Sequence, residues 1–445
     1  MDSADPIPRV RGLPFIGVLL SIRRNPLEFF SRILRKHGGR VRFRVLGRNI
    51  LLLARPDDLE EVLIKHQEVY GRSVEIRSLR ALFGQGLLSS EGAFWKRQRA
   101  MIQPNFDRQA LTKYGCIMLD CISRQLAEWR PNAIRDIHAD MMRYTRETIC
   151  AVLFGGASVI DHPEMASNVS TVFGDLRSEL LYLRLWRCLP FGRSLRWNRA
   201  VAALDGSIRQ IIEARRSSSE LADDLLAALM NARDAEGTSM SNEQLRDEIL
   251  TFFLAGHETG ALALTWAVYL LATHPEVQEL ARAQVASVTQ NGSVTVGHYG
   301  QLPYLTAVVK EAMRLYPPVW SLGRQALGDA KLGEIPVPEG TEVWMCIHAL
   351  QRDRDWYEGP NEFQPERWFD TKRQQPFTYM PFGVGPRVCI GQHFAMMEAV
   401  LGLAAILKRF RFADLSGKPA EVSPWITLRP KRPILVRVLS ARTHL

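Results

Sequence analysis

The chain of 445 residues contains no apolar run long enough to cross a bilayer. The nearest approach, residues 13–22, is ten residues interrupted by Pro14 and Gly17, against the roughly 20 a span requires. Asp2 and Asp5 precede that run and Arg23-Arg24-Asn25-Pro26 follows it, which is not the pattern of a secretory signal. A cytoplasmic protein with no transmembrane segment is therefore the expectation. Cysteine is scarce, and the six present (Cys116, Cys121, Cys150, Cys188, Cys346, Cys389) include no Cys-x-x-Cys pair and no zinc spacing. A disulfide framework is not expected, and a reducing compartment is. Low-complexity stretches and Ser/Gly linkers are missing too. So are a Gly-x-Gly-x-x-Gly after a strand pattern and a cysteine cluster, so no fused flavin or iron–sulfur module is expected. No block of basic residues suggests a nucleic-acid arm. The formal charge of +10 reads as a basic surface spread along the chain, either merely solvated or suited to an acidic partner. With 46% hydrophobic and 23% charged residues, the whole of 1–445 has the composition of one large globular domain, expected to be monomeric.

Residues 40–54 alternate apolar Val41, Phe43 and Val45 with arginines and turn at Gly47-Arg48-Asn49, which predicts a hairpin. From residue 57 to about 408 the pattern is helical, broken at Gly84-Gln85-Gly86, Pro190-Phe191-Gly192, Gly237 and Pro317-Pro318. Strand signals return at 332–346 and near the C-terminus. The pattern predicts a mainly α fold with a small β-rich lobe, roughly residues 30–60 plus 320–350. The longest helix should start at Ser241, with Gln244 completing a capping box, and stop at His274 before Pro275. At ~1.5 Å per residue it would run about 50 Å, enough to cross the molecule. At its centre stands Ala255-Gly256-His257-Glu258-Thr259-Gly260. A carboxylate in an apolar helix is costly. Either Thr259 bonds back to the Ala255 carbonyl and only bends the helix, or the acid and hydroxyl handle protons.

The most informative residue is Cys389, in Phe382-Gly383-Val384-Gly385-Pro386-Arg387-Val388-Cys389-Ile390-Gly391, just before the apolar helical run 394–407. Two glycines and a proline forbid regular structure there and let the backbone run close to a flat ligand. Backbone amides and the start of the following helix favour a thiolate at Cys389, the form that ligates metals. The stretch resembles, position for position, the haem-binding loop Phe-x-x-Gly-x-Arg-x-Cys-x-Gly of the cytochrome P-450 monooxygenases, whose haem iron is held by a cysteine thiolate.

The resemblance extends from Trp95 to Gly391 and implies the cytochrome P-450 fold, with haem b lying between the long central helix and the helix after the cysteine. It casts Cys389 as metal ligand, with Phe382 and Gly391 in the cofactor loop. Residues 255–260 resemble the family's oxygen-binding groove, in which Ala255 and Gly256 leave room for dioxygen, Thr259 directs protons and Glu258 supplies them. Gly260 departs from the commoner Thr or Ser. Glu311-Ala312-Met313-Arg314 resembles the Glu-x-x-Arg helix, with Arg367 of Pro365-Glu366-Arg367-Trp368 completing a structural network behind the cofactor. Trp95 and Arg99 resemble the Trp-x-x-x-Arg helix, and Arg324 and Arg387 match positions that pair with haem propionates. His393 is a rival ligand by spacing alone. Substrate-facing positions carry Leu82, Phe83, Phe253, Leu254, Val319, Trp320, Leu322, Trp425 and Ile426, a wall for a lipophilic ligand such as a terpenoid or fatty acyl chain. Arg72, Arg77 and Arg80 would either clamp a substrate carboxylate or simply face solvent. The implied activity is hydroxylation or epoxidation with O2, using electrons from NAD(P)H through a separate ferredoxin- or flavodoxin-type donor that docks near Lys96, Arg97, Lys408, Arg409 and Arg411. An H2O2-driven peroxygenase and a non-catalytic haem-binding sensor are the alternatives.

Overall fold

Ser241 opens the dominant element. Its side chain accepts the Gln244 amide, the Gln244 side chain returns to the Ser241 amide, and a 32-residue helix, Asn242–Thr273, follows. It stops at His274 because Pro275 begins the next helix, Pro275–Thr289. The computed structural model describes residues 7–156, 171–172, 192–218, 222–290, 292–370 and 375–441. Cys188 and the expected break at Pro190-Phe191 lie outside them.

Thr251, Gly256, Thr259, Gly260 and Thr265 are all poor helix formers, so propensity does not sustain this helix; burial does. Its second half is enclosed almost entirely, from Ala261 to Ala272. The helices Ile137–Phe154, Pro303–Leu315 and Gln392–Arg409 pack around it. Trp266 is fully buried there, stacked 4.2 Å from Tyr316, with its indole N–H on the Leu428 carbonyl at 3.0 Å. Each large apolar side chain so enclosed contributes roughly 1.5–3 kcal/mol.

The rest is mainly helical with small sheets, as the pattern predicts. The largest sheet has five strands in the order Arg40–Val45, Arg48–Leu53, Glu342–Met345, Leu322–Ala326, Tyr70–Arg72. Only the second and third pair in parallel. The hairpin turns one residue earlier than expected. Val45 pairs with Arg48, so Leu46-Gly47 forms the two-residue turn, with φ of 49° and 79°. Two positive φ values suit a tight hairpin, and here a leucine takes one of them. The pairing of Tyr70–Arg72 with Leu322–Ala326 sets Arg72 opposite Arg324. That register matters for the site.

Candidate active site

The cysteine loop is shaped by backbone conformation. Gly383 and Gly385 have φ of 71° and 77°, and a Cβ on Gly385 would sit 2.4 Å from the Leu63 carbonyl oxygen. Only glycine fits there. The Cys389 amide donates to the Phe382 carbonyl at 3.0 Å, closing the loop just ahead of the helix Gln392–Arg409. The Cys389 side chain is open to small molecules, yet the surrounding protein desolvates it and pushes its thiol pKa up. Both hold for a group on the wall of an interior hollow. The Gly391 amide and the Arg99 guanidinium pull in the opposite direction, toward the thiolate.

Arginines gather on the same side. Arg99 donates to the Val388 carbonyl at 2.9 Å, which ties the helix Gly92–Ile102 to the cysteine loop. Arg387 donates to the Ser90 carbonyl at 2.9 Å and lies 3.8 Å over the Trp95 ring. Arg324 and Arg387 are each lowered to about 10, chiefly by burial. Arg72, which sequence reasoning did not place here, is lowered well below the usual arginine value by burial and by the charges of Arg387 and Arg324. Like charges opposite one another on a sheet are destabilising. Glu91 offsets them in part, but its carboxylate already accepts the Arg72 amide at 2.7 Å and Arg80 at 3.1 Å. A desolvated cluster of guanidinium groups beside a thiol suits a ligand that carries both carboxylates and a metal. An iron porphyrin fits that donor set. His393 is exposed and lies 3.3 Å from the Gln392 side-chain nitrogen.

On the central helix, Ala255 is exposed and Thr259 half-buried, although Phe253, Leu254, His257 and Glu258 around them are buried. One face of the helix therefore borders open space inside the protein. The Thr259 hydroxyl donates to the Ala255 carbonyl at 2.7 Å. Glu258 points elsewhere. Its carboxylate accepts Thr427 at 2.6 Å and forms a closer ion pair with Arg429, whose guanidinium lies 5.4 Å from the Trp425 ring. Neither partner was legible, because both lie about 170 residues downstream. Gly260 is explained by Glu398, which sequence reasoning also missed. A Cβ at 260 would meet a Glu398 carboxylate oxygen at 2.6 Å. Burial lifts that carboxyl to about 8.

Arg314 makes a two-pronged contact with Glu311 at 2.9 and 2.8 Å and caps the Gln351, Pro360 and Glu362 carbonyls. Arg367 and Trp368 reach Glu311 at 2.9 and 3.0 Å. Glu311 and Arg314 are fully buried, so the i, i+3 spacing marks an interior ion pair.

The expected substrate wall divides. Leu82, Phe83 and Leu254 join the apolar cluster that includes Trp95, Val319 is half-buried, and Ile426 is exposed. Phe253 lies in the same cluster: two residues from Ala255 is ~200° around a helix, and its ring packs beside His257. Trp320 is half-buried. It stacks on Phe30, and its N–H donates to the Trp425 carbonyl at 2.6 Å. The arginine trio also separates. Arg77 bonds Gln325, Arg80 bonds Ser89 and Glu91, and only Arg72 joins the inner cluster.

A loop that presents Cys389 ahead of a helix, a long central helix with one uncovered face and the buried Glu311–Arg314 pair accord with the P450 class of oxidoreductase. The chain belongs to the cytochrome P450 family, whose model matches residues 7–438. It is 31% identical over 427 residues to cyclooctatin synthase of Streptomyces melanosporofaciens, covering 94% of this chain and 92% of that one. It is 29% identical over 444 residues to pentalenene oxygenase of Streptomyces avermitilis, with 97% and 96% covered. Cytokinin hydroxylase of Arabidopsis thaliana is 33% identical over 398 residues, with 86% of this chain and 77% of that protein covered. The protein is thus a P450 monooxygenase, and haem iron is the group that family membership implies. No helix among the described residues is long and apolar enough to cross a membrane.

Proposed function

We propose that this enzyme binds haem b through Cys389 and hydroxylates or epoxidises a neutral, lipophilic small molecule of the terpenoid class. The observation that carries the cofactor assignment is the desolvated cluster of Arg72 and Arg324, opposite one another on the sheet, with Arg387, two residues before Cys389. These residues, with Trp95 and Arg99, would hold the propionates, and Cys389 would be the metal ligand. When bound, the haem supplies activation of dioxygen, one atom going to the substrate and the other to water. The protein's part is to keep Cys389 as a thiolate, exclude bulk water, and deliver protons beside Ala255 and Thr259.

The Thr259 hydroxyl spends its proton on the Ala255 carbonyl, so its lone pairs remain to accept a hydrogen bond from a water. Glu258 must part from Arg429 before it can carry a proton inward. Thr259→Ala should therefore retain haem but lose product per NAD(P)H consumed by about tenfold, with the electrons appearing as peroxide. Thr259→Ser should restore much of the coupling. Unchanged coupling in Thr259→Ala would remove the residue from proton delivery.

Two observations favour a neutral substrate. Arg77 and Arg80 are committed to internal partners, and Arg72 belongs to the cofactor cluster, so no carboxylate clamp remains from that trio. One relative is named for pentalenene, a cyclic hydrocarbon of the terpenoid class. A panel of terpenes, fatty acids, steroids and aromatics, followed by the low-spin to high-spin shift of the haem, tests this. Cyclic terpenes should give the largest shifts. Responses confined to acids or strongly polar compounds would overturn it.

Electrons from NAD(P)H would arrive through a separate acidic donor of ferredoxin or flavodoxin type. Lys96 and Arg409 are exposed and available to it, whereas Arg97 is paired with Asp234 at 2.5 Å and Lys408 holds Thr289 at 2.6 Å. The reduction rate should fall as added salt screens the charges. A rate indifferent to ionic strength would contradict an electrostatically guided donor.

A further inference from the structure

The net charge is not spread along the chain. Residues 7–48 hold eleven arginines and lysines against one acid, Glu28, so this short segment alone carries the +10 of the whole protein. Arg9, Arg11, Arg23, Arg24 and Arg44 in it are exposed.

Within this basic field stand exposed apolar side chains held there by the backbone. The turn Leu13–Gly17 is closed by hydrogen bonds of 3.0 and 2.9 Å between those two residues, which leaves Pro14 and Phe15 at its tip. Phe15 is 93% exposed with φ of 62°, and Leu13 is 55% exposed. Beside it is the hairpin tip, where Leu46 is 43% exposed with φ of 49°. The two tips are joined: Gly17 bridges Val45, Val18 donates to the Arg44 carbonyl at 3.0 Å, and Leu46 donates to the Ile16 carbonyl at 3.4 Å. Leu20, 56% exposed, follows on the short helix Leu19–Arg24, whose Ile22 packs inward. Bulky residues avoid positive φ, and such strain persists where the surrounding structure imposes it. Here two apolar residues are strained and wet at once.

We propose that this face docks on an anionic lipid bilayer, with Phe15, Leu13 and Leu46 entering the headgroup boundary while the surrounding arginines meet lipid phosphates. Apolar tips set in a basic field match the layering of such an interface, phosphate outside and acyl chain beneath. An acidic soluble partner would use the charge but leave the apolar tips unexplained. The contact is peripheral, and it would place the enzyme at the phase into which a lipophilic substrate partitions.

The test is co-sedimentation of the haem-loaded enzyme with vesicles of phosphatidylcholine alone and of phosphatidylcholine mixed with phosphatidylglycerol. The proposal expects partition into the anionic vesicles, reduced by salt, and weak partition into the neutral ones. The double substitution Phe15→Ser, Leu46→Ser should lower the anionic partition by roughly tenfold or more. Leu280→Ser, which alters a leucine of similar exposure elsewhere, should leave it unchanged. An unaltered haem spectrum in each variant shows that the fold is kept. Absence of binding to anionic vesicles, equal binding to neutral ones, or binding insensitive to the double substitution would each overturn the proposal. Equal retention of wild type and double variant on immobilised polyglutamate, with no vesicle binding, would assign the face to an acidic macromolecule instead.

Discussion

Replacing Cys389 with alanine should abolish oxygenation while leaving a folded chain. The thiol is exposed yet desolvated by the surrounding protein, and the loop is closed by backbone contacts, from the Cys389 amide to Phe382 and from the Val388 amide to Gly385. Loss of the sulfur therefore removes a ligand and not a structural prop. Product formation should drop to background, a fall of several orders of magnitude, and the far-ultraviolet circular dichroism should match the wild type. Appreciable turnover with O2 in Cys389→Ala would contradict the assignment of the ligand.

The largest expected effect on stability is at Glu311. Its two carboxylate oxygens accept Arg314 twice, Arg367, Trp368 and the Gln364 amide. Arg314 has no exposure and is also stacked 4.9 Å from Tyr357. Glu311→Ala would leave a buried guanidinium without its counter-charge, at a cost of about 3 to 5 kcal/mol. That is a large part of the margin of a typical domain. The variant should unfold at clearly lower denaturant and lose haem readily, because Arg314 caps the carbonyls of the segment 351–362. Glu311→Gln, which keeps the shape and some hydrogen bonds, should lose less. A midpoint unchanged in Glu311→Ala would show that the ion pair is dispensable.

The readable features were those encoded in short range. The capping box at Ser241, the glycine and proline pattern before Cys389 and the i, i+3 spacing of Glu311 and Arg314 each place a physical demand on neighbouring residues, so each leaves a local mark. What was not readable depends on contacts between distant segments. Arg72 gains its meaning only from the register that sets it against Arg324, about 250 residues away. Glu258 is an acid next to a hydroxyl in the sequence, but its partners Thr427 and Arg429 arrive from the C-terminal strands. Gly260 looked like a missing hydroxyl and is instead the space taken by Glu398. Phe253 and Trp320 are apolar residues whose ring neighbours, His257 and Phe30, are a matter of angle that composition does not carry. The charge was misjudged for a different reason: arginines separated by apolar strand and helix positions form no run, yet accumulate within one short segment, residues 7–48.

The most direct test of the central claim is the absorbance of the reduced, haem-reconstituted protein under carbon monoxide, in wild type and in Cys389→His. Thiolate ligation predicts a strongly red-shifted Soret band in the wild type and its replacement, in the variant, by the band of a histidine-ligated haem. The same red-shifted band in both proteins, or in neither, would contradict the assignment of Cys389 as the iron ligand.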